Sequence, residues 1–276
     1  DERPGRGRPG AGAAAGRTRL VTGPGTGPVS GPVSGPVSGP EAGLQGRRPV
    51  VGVLALQGCV DPHRPHLEAA GAVFRPVRTA ADLEGIDACI LPGGESTTML
   101  RLIGVFGLEP ALRAAFARMP VWGVCAGAIL MASRVLHPEQ ASFGLLDMTV
   151  ERNAYGRQLE SMQAEVHGYP VSFIRSPRIA EVRDPAAAVL AERGGDREGR
   201  LPAAQGPSTN TAATGRNGDP SWIATPQYMA TTFHPELTLA FPSPLHRAFL
   251  DLIVRFRGGG GGAAVGGTLT PRMSAA

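Results

Sequence analysis

From residue 50 to residue 124 the chain alternates short apolar runs with longer stretches in which apolar residues return every three or four positions. Residues 50–56, VVGVLAL, are apolar, rich in β-branched side chains and closed by Gln57-Gly58, the pattern of a buried strand. Residues 61–70 take helical spacing, residues 73–77 and 88–91 read as two further strands, and helices from Thr97 and over 108–119 lead into the apolar run 120–124. Strands that alternate with helices predict an α/β fold, three layers deep, with a central, mostly parallel sheet covered by helices on both faces. Beyond Ser133 the pattern changes. Residues 145–152, 171–174, 188–192 and 227–233 are short strand-like runs between turns, expected to extend the sheet in a mixed region, and residues 245–256 form a closing amphipathic helix.

Composition sets the limits of this folded region. Residues 1–46 are dominated by Gly, Pro, Ala, Ser and Arg and repeat GPVS three times over 27–38, while 258–276 begin with a run of five glycines. Both stretches have too little apolar content to bury and are expected to be disordered tails. The folded domain is then 47–257, long enough to bury on the order of 70% of its unfolded surface without a disulfide or metal. Three cysteines, an odd number without metal-ligand spacing, fit a reducing, cytoplasmic setting. An Arg-rich, acid-poor start leaves a transit peptide for a plastid or other organelle open. No apolar run approaches the length that spans a bilayer, so no membrane is expected. The net charge of +4 comes from arginine alone, without aromatic interleaving, and gives no reason to expect nucleic acid.

The ends of parallel strands are where ligands of such sheets bind, and two candidate features fall there. After the run 120–124 comes Cys125 inside Gly123-Val124-Cys125-Ala126-Gly127, a nucleophile elbow of the G-x-[nucleophile]-x-G kind followed by a helix. Small flanking residues let strand and helix pack closely around a strained backbone, and a helix N-terminus with an imidazolium nearby favours thiolate over thiol. A buried, inert cysteine is the alternative. At the far end of the chain, Thr232-Phe233-His234-Pro235-Glu236-Leu237 sets His and Glu two residues apart, on one side of an extended segment. Cys125, His234 and Glu236 then form a triad in which His234 moves the thiol proton and Glu236 orients the ring. The second feature is the loop Pro92-Gly93-Gly94-Glu95-Ser96, whose amides can approach a substrate or, alternatively, only start a helix with Glu95 or Ser96 as its cap. Arg152 and Arg175 end predicted strands on the same side, where isolated arginines are usually surface charges. His63 and His66 flank Pro65 and read as a surface feature at a helix start in preference to metal ligands.

Taken together, GVLALQG (52–58), LPGGESTTM (91–99), WGVCAGAIL (122–130), RNAYGRQ (152–158), FIRSP (173–177) and TFHPEL (232–237) resemble, in order, the motifs of the glutaminase subunit of pyridoxal 5'-phosphate synthase. That family belongs to the class I glutamine amidotransferases, of flavodoxin-like fold. The resemblance implies that Cys125 attacks the carboxamide of L-glutamine and that the ammonia passes to a synthase subunit within a large hetero-oligomer, with no cofactor or metal in the glutaminase itself. It also implies that Gly94, Glu95, Ser96, Arg152, Ile174 and Arg175 hold glutamine. A bidentate arginine suits the α-carboxylate, and the N–H groups of Gly94 and Ala126 suit a developing oxyanion. Two departures stand out: a shortened stretch between Gln163 and Phe173, and a Gly-, Ser- and Asn-rich insertion at about 193–220. A regulatory partner without catalysis, or a glutaminase for another acceptor, are the competing readings.

Overall fold

A computed structural model describes residues 47–154, 162–193 and 218–259. The expected tail 1–46, nearly all of 258–276 and most of the insertion at 193–220 lie outside the described residues, as does part of RNAYGRQ. In chain order the first half holds β1 (Val50–Leu54), α1 (His63–Ala69), β2 (Val73–Val77), β3 (Ala88–Leu91), α2 (Ser96–Val105), α3 (Glu109–Phe116), β4 (Val121–Val124) and α4 (Ala126–Met131). The second half holds β5 (Ala132–Leu136), β6 (Leu146–Glu151), β7 (Met162–Val166), β8 (Tyr169–Phe173), β9 (Arg178–Val182), β10 (Ala188–Arg193), β11 (Asp219–Ala224), β12 (Tyr228–Thr231) and α5 (Pro244–Gly258).

Seven strands form the central sheet in the order β10-β11-β12-β4-β3-β1-β2. The five from β12 to β2 run parallel, and β10 and β11 join antiparallel at one edge. Side chains of a strand point alternately to the two faces. In β3, Cys89 and Leu91 enter a core shared with α2, α3 and α4, while Ala88 and Ile90 enter a second core shared with α1 and α5. The sheet is thus buried on both faces, which explains why its strands read as near-continuous apolar runs.

Two of the later runs do not extend this sheet. Strand β6 pairs with β5 and β9 in a separate three-stranded sheet, and β8 pairs with β7 in a two-stranded hairpin. The reason is local at one point: α4 stops at Met131, because Ala132 is already extended (φ −63°, ψ 149°), and the chain departs at once as β5. His63 and His66 also differ from expectation. They are fully buried, because α1 turns His63, His66 and Leu67 inward together, the i, i+3, i+4 face of a helix.

At the opposite end of the sheet from the loops that follow β3 and β4, the buried carboxylate of Asp87 accepts from Val50 N–H (2.7 Å), from Arg47 (2.8 and 2.5 Å) and from Arg257. One side chain therefore joins the first and last parts of the described domain.

Candidate active site

Cys125 sits between β4 and α4 with φ 50° and ψ −103°, a conformation that costs an ordinary residue about 1–3 kcal/mol and persists only where the surroundings impose it. Those surroundings are visible. A Cβ on Gly127 would lie 1.9 Å from Leu91 O, and one on Gly123 would lie 2.6 Å from Gly127 O, so only glycine fits at either place. Cys125 N–H is fixed to Thr231 O of β12 (2.8 Å), and its Sγ lies 3.9 Å from Ile174 O. The α4 N-terminus begins at the next residue.

His234 follows β12 and is itself buried. Its backbone bridges to Ser172 of β8, His234 N–H donating to Ser172 O at 2.8 Å, so the FIRSP segment and the histidine are fastened to each other. Its Nδ1 lies 2.7 Å from Glu236 Oε1, and Glu236 is 2% exposed. Burial works against a charged ring, but the Cys125 sulfur and hydrogen bonds involving Cys125, Cys59 and Glu236 outweigh it and hold His234 well above its usual value. Glu236 is pushed up by burial and held below the usual carboxylate range by the His234 ring. This is the electrostatics of a charged imidazolium backed by a carboxylate. The donor atoms of Cys59, His234 and Glu236 lie within 4.8 Å of one another, a set of metal-binding type in which Nδ1 and Oε1 already bond each other.

The loop after β3 lies against the ring. A Cβ on Gly93 would stand 2.3 Å from His234 Cε1, and Gly93 O accepts from Cys59 N–H (2.9 Å). Gln57 Oε1 accepts from Glu95 N–H (3.0 Å), and a Cβ on Gly94 would lie 2.6 Å from that oxygen. Glu95 does cap α2, accepting from Thr98 N–H (2.9 Å), and its other oxygen pairs with Arg152 Nη2 (3.0 Å). Arg152 is therefore no free surface charge: its side chain is 11% exposed, and its Nη1 is buried with no protein partner among the described residues. Ser96 is buried and donates to Gln140 Oε1 (3.0 Å). Ile174 is partly exposed beside Cys125, and Arg175 follows in a left-handed conformation (φ 44°). Gly94, Glu95, Ser96, Arg152, Ile174 and Arg175 thus come from the loop after β3, the end of β6 and the end of β8, in segments that bond to one another or to the Cys125–His234 pair.

A model of the SNO glutamine amidotransferase family matches residues 53–254. The chain belongs to that family. It is 42% identical over 217 residues to the pyridoxal 5'-phosphate synthase subunit PdxT of Kineococcus radiotolerans, an alignment covering 74% of this chain and 95% of that protein. The PdxT of Deinococcus radiodurans is 44% identical over 214 residues, 73% of this chain and 96% of that one. A crystal structure of a glutamine amidotransferase, 36% identical, superimposes with a TM-score of 0.59 and covers 74% of this chain and 98% of its own. The three-layer fold is accordingly that of the class I glutamine amidotransferases.

Within this SNO-family fold, Gln57, Cys59, Gln140 and Ser172 touch the site without having been singled out by the sequence. Gln57 and Cys59 follow the first strand and so reach the same sheet end as the elbow, a signal that was present in the α/β pattern itself. Gln140 and Ser172 carried none, since each meets its partner only through long-range packing.

Proposed function

We propose that the chain hydrolyses L-glutamine to L-glutamate and ammonia and serves as the glutaminase subunit of a pyridoxal 5'-phosphate synthase, delivering ammonia to a synthase subunit. The observation that carries the reading is the left-handed Cys125 of the elbow beside a buried His234 whose Nδ1 is 2.7 Å from Glu236. The Cys125 thiolate attacks the carboxamide carbon of glutamine. Backbone N–H groups of Gly94 and Ala126 receive the negative charge that develops on its oxygen, and His234 protonates the departing nitrogen. Water, deprotonated by the now neutral His234, then cleaves the thioester and frees glutamate. Glu236 holds the ring with Nδ1–H turned away from the reaction throughout. Arg152 suits the α-carboxylate of glutamine, because its Nη2 is tied to Glu95 while its Nη1 is left over. Gly94, Glu95, Ser96, Ile174 and Arg175 shape the remainder of the pocket. The two PdxT relatives bear the name of a synthase subunit, which supports a synthase as the acceptor of ammonia.

Ammonia formed without an acceptor escapes to solvent, so hydrolysis is expected to be slow alone and fast in complex. A loop with two adjacent glycines can turn an amide away from the substrate until a neighbour fixes it, and one oxyanion donor is worth about 10²–10³ in rate. Steady-state glutamate release with and without a pyridoxal 5'-phosphate synthase subunit tests both points. Strong stimulation supports the assignment; absence of hydrolysis under both conditions sinks it, and equal rates remove the gating.

A further inference from the structure

Behind Glu236 lies a row of buried polar groups that none of these steps uses. His63 and His66 stand three residues apart on α1, His246 lies in the first turn of α5, and each of the three is 0% exposed. His63 Nδ1 lies 2.9 Å from His246 Nε2, and His246 Nδ1 lies 2.5 Å from Ser243 Oγ. Ser243 Oγ also accepts from His246 N–H (3.2 Å) as the cap of α5.

Counting protons along the row points to one set of tautomers. Ser243 Oγ already takes a backbone hydrogen, so its own hydrogen needs an acceptor, and His246 Nδ1 is there. His246 therefore carries its hydrogen on Nε2 and donates it to His63 Nδ1. His63 must then carry its hydrogen on Nε2. Among the described residues that nitrogen is buried with no protein partner, and so is the second carboxylate oxygen of the triad, Glu236 Oε2. The reverse assignment would turn the Ser243 hydroxyl hydrogen away from His246 Nδ1 at 2.5 Å and toward the Tyr169 oxygen, and leave His63 Nε2 a bare lone pair facing the Glu236 carboxylate. His66 obeys the same count: its Nδ1 accepts from Ser243 N–H (3.0 Å), which leaves Nε2–H to donate to the backbone oxygen of Glu236 (3.3 Å).

We propose that His63 is a positioning residue of the triad: its Nε2–H serves Oε2 of Glu236 through one ordered water, while Oε1 takes the Nδ1–H of His234. Ser243 and His246 set the tautomer that makes this possible. Burial keeps the row neutral: it holds His63 at about 4 despite the opposing pull of the Glu236 carboxylate, and keeps His246 well below its usual value. The groups facing Glu236 are His234 from its own segment, His63 and His66 from α1, and Cys59 from the loop after β1. Of the three histidines, only His234 is raised above its ordinary value. Taking away the His63 donor leaves one oxygen of a buried carboxylate unserved, which favours its protonation and loosens its hold on the His234 ring.

The proposal rests on the glutaminase reading, and its test separates the two. In His63→Gln the side-chain amide reaches the place of Nε2; in His63→Asn it stops near Nδ1; His63→Leu only fills volume. Assayed with the synthase subunit, the Gln variant should stay within about threefold of wild type, whereas Asn and Leu should lose about 10–100-fold in kcat with little change in KM. The acid limb of their kcat/KM profiles should move up by about one pH unit. Equal losses in Gln and Leu with an unmoved acid limb would overturn the proposal. Should the Asn and Leu variants fail to fold, imidazole ¹⁵N spectra of the unaltered chain decide without any turnover. His63 should show the Nε2–H tautomer from pH 5 to 8, and an Nδ1–H there would overturn the proposal whatever the glutaminase assay finds.

Discussion

Replacing Gly93 by alanine puts one methyl group against the ring that moves the proton. The new Cβ would lie 2.3 Å from Cε1 of His234, more than an ångström inside the 3.4 Å at which ordinary contact begins, and 2.8 Å from Nδ1. Neither side yields cheaply. The ring is held by Glu236 at 2.7 Å and its backbone by Ser172 at 2.8 Å, while Gly93 is held through its oxygen by Cys59 N–H at 2.9 Å. If the ring gives way it leaves Glu236; if the loop gives way it carries off Gly94, the candidate oxyanion donor. A displacement of about 1 Å at a reacting group costs roughly 10² in rate, and overpacking a tight site costs about 1–3 kcal/mol of stability. We expect Gly93→Ala to lower kcat about 100-fold in the presence of the synthase subunit, with KM within a few-fold because Arg152 is not touched. Gly104→Ala is the control: it lies within α2 with nothing within 4 Å of the new Cβ, and should gain about 0.5–1 kcal/mol at unchanged kcat. Steady-state kinetics and thermal melts of both variants provide the comparison. A Gly93→Ala enzyme with more than about a third of wild-type kcat would refute the claim that this contact fixes the ring.

Cys125→Ala should abolish both hydrolysis and covalent labelling by a glutamine-like electrophile, while Cys89→Ala should keep both, because burial pushes the Cys89 thiol up to about 12; peptide mapping of the labelled protein checks this, and label retained in the Cys125 variant would contradict it. The buried histidines predict a sensitivity to acid. His63 falls from 6.5 to about 4 on burial, so below pH 6.5 the unfolded chain binds a proton that the folded chain refuses; this part of the stability is complete above pH 6.5 and is lost toward pH 4. It amounts to about 3 kcal/mol, and denaturant midpoints measured from pH 7 to 4.5 should fall less steeply for His63→Gln than for wild type; parallel slopes would count against it. A chain of residues 47–258 should keep the thermal midpoint and the activity of the full chain, and a large loss in either would show that the boundaries lie elsewhere.

The parts of the site that could be read in the sequence are those written within one segment. Gly123 and Gly127 announce the elbow because strand, turn and helix lie within a dozen residues; His234 and Glu236 do meet, but through a 3₁₀ turn over Pro235–Leu237 and not through the extended segment that their spacing suggests. Strand membership was less accessible. Leu146–Glu151 and Tyr169–Phe173 have the apolar content of sheet strands, yet which sheet a strand joins depends on neighbours far along the chain. The histidines show the limit most sharply. His63 sits beside Arg64 and Pro65 and so looks like surface, but its partner His246 is 183 residues away, and only that pairing makes burial of the ring affordable.

The Asp87 clamp bears on how this domain can be handled. Arg47 and Arg257 converge on one carboxylate at the amino-terminal edge of the parallel strands, and the thiol lies past their carboxyl-terminal edge. Residues 47 and 257 therefore sit at the pole of the domain remote from Cys125. In a chain cut to residues 47–259, a tether, a fluorescent reporter or a fused enzyme can be attached at either end without approaching Cys125.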